Sequence, residues 1–334
     1  MSKLTLARMD YDEAPFLGQF TDHTIFQTIE WLNFVSHTQN AELVVAAVKD
    51  GNRHVGRFSG LIIKKCGLRI LGSPFPGWTT SYMGFNLEPS VSRVDALRAL
   101  DDFAFRELKC IHVEIMDRHL TTAHLREAGY LYDGRVFTGF EIDLTKDDET
   151  LFAAMAPACR RCIRKAAKLA VKMELAEDLT FADDYYAQLE DVFAKQSLAT
   201  TYSVERVRSL IEYLLPTGHL LLVRARDSEG TCIATGIFPA LNDTMYFWGG
   251  ASWRPHQSLR PNEAIQWFAM RYWKAKGIQR YDMVGGGEYK RKYGGYEIAV
   301  PWGRKSKYSF FEHLRNCGKS LFAAKQRIRG LGNH

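Results

Sequence analysis

Apolar residues recur at two different periods along this chain, and the switches between them mark out its elements. In TIFQTIEWLNFVSHTQ, Phe26, Ile29, Trp31 and Phe34 fall near helical spacing, which predicts an amphipathic helix. AELVVAAVKDGNRHVGRFSGLIIKKCGLRIL then runs as strand, Asp-Gly turn and strand, with a second hairpin at Cys66–Gly67. GSPFPGWTTSYMGF is a loop of Gly, Pro and aromatic residues. VSRVDALRALDDFAFREL returns to helix, CIHVEIMD is a buried strand, and LREAGYLYDGRVFTGFEIDL gives a helix end and a strand pair.

The same order of elements then comes again. DETLFAAMAPACRRCIRKAAKLA reads as helix and VKMELAED as strand, followed by helices in TFADDYYAQLEDVFAKQSL and SVERVRSLIEYLLPTG. HLLLVRARDSEGTCIATGIFPALNDTMYFWGGAS predicts three consecutive strands, turning at Ser228–Gly230 and Asn242–Asp243. PNEAIQWFAMRYWKAKG is a helix with Pro261 near its start and Gly277 as C-cap, and IQRYDMV is a strand. Helices, an antiparallel meander, then helix, strand, helix and strand make an α+β fold rather than a doubly wound series. A chain of 334 residues is long for one core, so two domains are expected. We place them at 1–148 and 149–308, with a basic helix over 309–334 that carries Phe310, Phe311, Leu314, Leu321, Phe322 and Ile328 among its cations.

Composition supports a folded core, with 46% apolar and 13% aromatic residues. The net charge of +6 is unevenly spread: 290–334 holds eleven Lys/Arg against two acids, and 160–172 holds six cations and no acid. Two basic patches on an otherwise acidic chain point to an anionic partner, such as a phosphorylated substrate, RNA or a membrane surface. The C-terminal helix is read as docking on its own protein, with peripheral contact with the inner membrane as the alternative. The opening MSKLTLARMDYDEAPF lacks an apolar run of signal-peptide length, so a cytoplasmic protein with reduced thiols is expected. Cys159 and Cys162, in CRRC, have no second pair at metal-ligand spacing and are read as structural. His219 and His256 lack spaced partners, so no metal site is expected, and His112 alternates on a buried strand as a core histidine.

YDMVGGGEYKRKYGGYE, Tyr281 to Glu297, is the stretch richest in candidate chemistry. Gly285, Gly286 and Gly287 are contiguous and no Ser/Thr follows Lys290, so neither a Walker loop nor a dinucleotide fingerprint fits. What remains is a pliable backbone after a strand end, able to lay Tyr289 and Lys290 against a ligand. A lysine there suits negative charge developing on a carbonyl oxygen, or a phosphate.

With RRCIRKAAK and YYAQLEDVFAKQ upstream, and YFWGGAS and RPNEAIQWFAMRYWKAKG before it, this stretch resembles the Fem-type, double-GNAT acyltransferases. The resemblance covers most of the chain and is strongest over about 160–295. It implies two GNAT-like domains and acyl transfer from an activated donor to an amine, with amide formation. It also implies a role on the acyl carbonyl for Tyr289 and Lys290. Asp282, Glu288 and Glu263 are the candidate bases. Arg161, Arg164 and Lys165 on the upstream helix are candidate phosphate contacts, and Trp78, Trp248, Glu263 and Gly286 complete the substrate-contacting set. For Trp78 and Trp248, ordinary packing is the competing reading.

No long insertion for a coiled-coil arm is present. Where acetyl-CoA enzymes of this fold carry a glycine-rich pyrophosphate loop, this chain has SWRPHQSLRPNEA, without glycine. The donor is therefore left between acyl-CoA, an acyl carrier and aminoacyl-tRNA, as a co-substrate and not a tightly bound cofactor. The acceptor that the resemblance implies is an amine on a phosphorylated or nucleotide-linked sugar, a cell-envelope or polysaccharide precursor, with tRNA as a partner under the alternative donor and no DNA partner.

Overall fold

The computed structural model describes residues 3–11, 20, 22–132, 136–194 and 198–308. The C-terminal helix expected over 309–334 lies outside them. The chain divides into two units, one of 1–137 together with the segment from 299 onward, the other of 138–298.

The first unit is built on a mixed sheet. Its strands are β1 (Leu4–Arg8), β2 (Glu42–Asp50), β3 (Arg53–Lys65), β4 (Leu68–Ser73), β5 (Gly84–Leu87) and β6 (His112–Ile115). The order is β1-β2-β3-β4-β6 with a last strand, Gly303–Ser306, beside β6, while β5 pairs with β3. β4 and β6 run parallel, and the other pairs described here, β1–β2, β2–β3, β3–β4, β3–β5 and the last strand with β6, are antiparallel. The two expected turns form as the local chemistry requires, with Gly51, Cys66 and Gly67 all at positive φ. Helix α1 (Ile29–Gln39) starts where the Thr28 side chain accepts from the Trp31 amide and stops where Asn40 turns left-handed. Helices α2 (Arg93–Asp102) and α3 (Thr122–Glu127) complete the unit. Val44, Phe58, Ile62, Leu97, Leu100 and Val113 are among the residues of its core.

The second unit holds β7 (Val136–Asp143), helices α4 (Asp148–Ala154) and α5 (Pro157–Lys168), β8 (Lys172–Leu175), then α6 (Phe181–Ala194) and α7 (Val204–Leu214). β9 (Leu220–Arg226), β10 (Cys232–Leu241), β11 (Thr244–Tyr246) and β12 (Gly249–Ser252) lead to α8 (Pro261–Ala275). β13 (Arg280–Asp282), α9 (Glu288–Arg291) and β14 (Tyr296–Pro301) follow. The sheet order is β14-β7-β13-β11-β10-β9-β8, with β12 on β10 and β11 parallel to β13. α8 begins at Pro261 and closes as expected: Gly277 takes φ +90°, and Ile278 N–H returns to Trp273 O at 3.1 Å. On α5, Cys159, Ile163 and Ala166 form the buried stripe.

Both units are α+β with mixed, mainly antiparallel sheets flanked by helices. The division differs from the expected 1–148 and 149–308. β7 belongs to the second unit's sheet, where Asp143, Ile142 and Glu141 pair with Arg280, Tyr281 and Asp282. The strand Gly303–Ser306 pairs with β6, in register from Gly303–Ile115 to Ser306–His112, so the chain returns to the first unit. Pairings this distant in sequence leave no local pattern to read.

Candidate active site

The segment after the Asn242–Asp243 turn was expected to run as one strand, and it is broken. β11 lies between β10 and β13, whereas β12 pairs with β10 alone, through Ala234–Ser252 to Ile237–Gly249. The switch falls at Phe247 and Trp248, whose amides donate to Asp282 O at 3.0 Å and Ile237 O at 3.1 Å. Past it a cavity of about 290 Å³ opens. Phe247 and Ala251, Glu263 and Ile265 of α8, and Tyr289, Lys292 and Tyr293 are among its lining residues.

The glycine loop is held by two side chains. Asp282, fully buried, accepts from the Val284 amide at 2.8 Å. Val284 and Gly285 then both take positive φ, +47° and +73°, which turns successive carbonyls inward. Lys290 comes back from α9 to meet them, donating to Met283 O at 2.8 Å, to Val284 O, and to Gly285 O at 3.1 Å. All three ammonium N–H groups are thereby engaged. The side chain is only 5% exposed. Burial pulls its pKa down to about 8, against the opposing pull of Asp282. Its ammonium lies 5.8 Å from the Phe247 ring centroid, with that ring on the cavity wall.

Around this core the expected residues take different places. Tyr289 is exposed and on the cavity wall. Glu263 lines the cavity and is paired at 2.7 Å with Lys292, a partner that the KRK run did not single out. Glu288 is exposed and bound to Arg291 at 3.1 Å. Gly286 stands over Thr138, whose Oγ1 would be 3.3 Å from an added Cβ. Arg161, Arg164 and Lys165 are exposed on α5, with Arg164 lying 5.1 Å over the Phe152 ring. Trp248 packs on Tyr202 and Tyr185, at centroid distances of 5.6 and 6.4 Å. Trp78 sits in the first unit, against Phe75 at 4.7 Å. One pair passed unnoticed in the sequence: Tyr296 donates to Glu141, a buried carboxylate on β7 facing Asp282 across the strand pair.

The cysteine pair is not arranged for chemistry. Cys159 is buried, and that burial pushes its thiol up to about 12. His112 is buried, with Nδ1 at 2.6 Å from Ser306 Oγ. Among the described residues no three His, Cys, Asp or Glu side chains are grouped to hold a metal ion, and no helix is long and apolar enough to cross a membrane.

Residues 155–293 match the family model of the acetyltransferase (GNAT) domain. No curated protein sequence matches the chain. Among solved structures, FemX superposes with a TM-score of 0.71 at 14% identity, covering 89% of this chain and 96% of FemX. The C-terminal domain of a protein described as a lysylphosphatidylglycerol synthetase, from Agrobacterium fabrum, gives 0.55 at 10% identity, over 86% of this chain and 96% of that one. A tandem GNAT protein from the clavulanic acid biosynthesis pathway gives 0.52 at 10% identity, over 91% and 98%. Each likeness runs over most of this chain, at 86–91% of its length. Residues 155–293 thus carry an acetyltransferase (GNAT) domain, within a fold similar to that of these three structures.

Proposed function

We propose that the protein forms an amide by transferring an acyl group from an activated donor, acyl-CoA or an acyl carrier, to an amine of a cell-envelope or polysaccharide precursor. The observation that carries this reading is the cavity at the broken strand, lined by a carboxylate paired with a cation and by the exposed Tyr289 that precedes the loop-clipping lysine. The amine nitrogen attacks the acyl carbonyl carbon, and the donor's thiol or alcohol leaves. Glu263, freed from Lys292, takes the amine proton. Lys290 gives up its longest bond, to Gly285 O, and meets the charge growing on the acyl oxygen. Asp282 positions the loop and Tyr289 bounds the donor. Exposed Arg161, Arg164 and Lys165 offer the acceptor's phosphates a cationic surface.

A second reading, aminoacyl-tRNA as the donor, is favoured by the turn that leads into α8. It is a 3-10 turn over Arg254–Leu259, without glycine, and Arg254 and Arg260 are exposed on it, as a nucleic-acid backbone would need. The likeness to a lysylphosphatidylglycerol synthetase domain points the same way. The test is mass spectrometry of ligands retained by the native protein, followed by turnover assays with acetyl-CoA and with aminoacyl-tRNA, with and without RNase, on native and Glu263→Gln protein. Acyl transfer that survives RNase and collapses in the variant supports the first reading; RNase-sensitive transfer supports the second. Undiminished transfer by Glu263→Gln would overturn the assigned base.

A further inference from the structure

The first unit buries a guanidinium that no carboxylate among the described residues neutralises. Arg57, in the middle of β3, is 1% exposed, and none of its three guanidinium nitrogens has a hydrogen-bond partner among the described residues. Its described neighbour is Tyr11, whose ring centroid lies 4.2 Å from the guanidinium carbon and whose phenol oxygen attracts the charge without replacing an anion. No carboxylate among the described residues lies within ion-pair distance of it. A buried, unpaired cation costs several kcal/mol.

The residues beside it are orphaned in the complementary sense. Asn86 is the register partner of Arg57 across the β3–β5 pair, and Ser59 is two residues along the same face. The Asn86 amide nitrogen donates to Gln27 Oε1 at 3.1 Å and Asp22 Oδ1 at 3.3 Å, which fixes the amide and turns its oxygen away from both. Among the described residues that oxygen, Asn86 Oδ1, has no partner, and neither has the hydroxyl of Ser59, a residue with no exposed surface. Three donor atoms, one acceptor and one hydroxyl are thus left open at one place on one sheet face. Buried polar groups are satisfied in the great majority of folded proteins, so a cluster of them marks a missing partner.

We propose that Arg57, Ser59 and Asn86 form an oxyanion site in the first unit, taking a phosphate or carboxylate group that also carries an O–H or N–H. The planar guanidinium accepts either anion through two parallel bonds. Ser59 donates a third bond, and Asn86 Oδ1 accepts from the ligand's own hydroxyl or amide. The site is independent of the donor cavity in the second unit and does not rest on the reaction assigned there.

The test is the unfolding temperature of the native chain titrated with inorganic phosphate and, separately, with lactate, which offers a carboxylate beside a hydroxyl. A saturable rise with either probe is expected, and the stronger probe identifies the anion. In Arg57→Met the rise disappears, and in anion-free buffer the variant is at least as stable as the native chain, because the uncompensated charge is gone. Ser59→Ala, which deletes an unpartnered hydroxyl and leaves the fold intact, weakens the response several-fold. No saturable rise with either probe would overturn the proposal. So would an Arg57→Met protein that unfolds well below the native chain without anion, since that marks a guanidinium serving only to pack on Tyr11.

Discussion

Lys290 makes a prediction whose sign runs against that of an ordinary lysine. Below pH 8 the side chain is protonated in the folded and the unfolded chain alike, and the folded chain bears the whole cost of burying the ammonium. Its pKa is about 8 in the fold, against 10.5 for a solvated lysine. Between those values the unfolded chain keeps a proton that the folded chain has lost, so stability rises with pH. At 1.36 kcal/mol per pKa unit the gain is about 3 kcal/mol in all, steepest near the middle of the window. Lys290→Met lacks the titrating group. The difference in unfolding free energy between native and variant should therefore grow by about 3 kcal/mol from pH 8 to 10.5, read from urea unfolding at a series of pH values. Taking the difference removes the tyrosines and other lysines that titrate in the same range. Two parallel curves would refute the reasoning, because they would mean that the ammonium is as well hydrated in the fold as outside it. The same protonation governs the proposed chemistry. Lys290 acts there as a cation, so the rate falls as pH rises through about 8.

Gly294→Ala should cost about 1–3 kcal/mol, because Gly294 has φ +84° and its added Cβ would stand 2.8 Å from Ala154 O; Gly67→Ala, equally left-handed but with open space around it, serves as the control and should cost about 1 kcal/mol or less in a thermal melt. Arg224→Met should destabilise the second unit by about 2–3 kcal/mol, since Arg224 is a buried guanidinium binding Asp184 at 2.7 Å and Asp178 at 3.0 Å. It should also flatten the acid limb of the stability curve. Arg224 holds Asp178 well below the usual carboxylate range, so the stabilisation is present above that range and fades as pH falls through it, and acid titration of native and variant proteins tests this.

Legibility from the sequence followed the reach of the physics. Turns were readable because their cause is local: Asn242, Cys66 and Gly277 sit where a left-handed residue is required, and each lies in a short polar or glycine-bearing break between apolar runs. Helices α6, α7 and α8 were readable from their apolar period. β1 and the strand Gly303–Ser306 were not, because each is defined by a partner far along the chain, β2 for one and β6 for the other. The break between β11 and β12 was hidden by composition, since TMYFWGGAS is apolar throughout and reads as a single strand. Its one signal was the glycine pair. A Cβ at Gly249 would run into the Tyr185 hydroxyl, so a larger residue at the point where β12 begins would have to displace that buried ring.

The basic run after the glycines shows why charge in a sequence does not locate chemistry. Lys290, Arg291 and Lys292 are consecutive, yet a single turn of helix sends them in three directions: Lys290 into the loop, Arg291 to Glu288 and Glu297 at the surface, Lys292 to Glu263 on the cavity wall. The glycine loop is likewise not what its composition suggests. A phosphate cradle points successive N–H groups at one place. Here the dihedrals of Val284 and Gly285 point successive C=O groups there instead, and a lysine ammonium fills the position. A loop of that polarity repels phosphate, so any phosphate on donor or acceptor must be held elsewhere. Among the described residues of the second unit, the cationic positions that remain are the turn before α8, with Arg254 and Arg260, and the exposed face of α5.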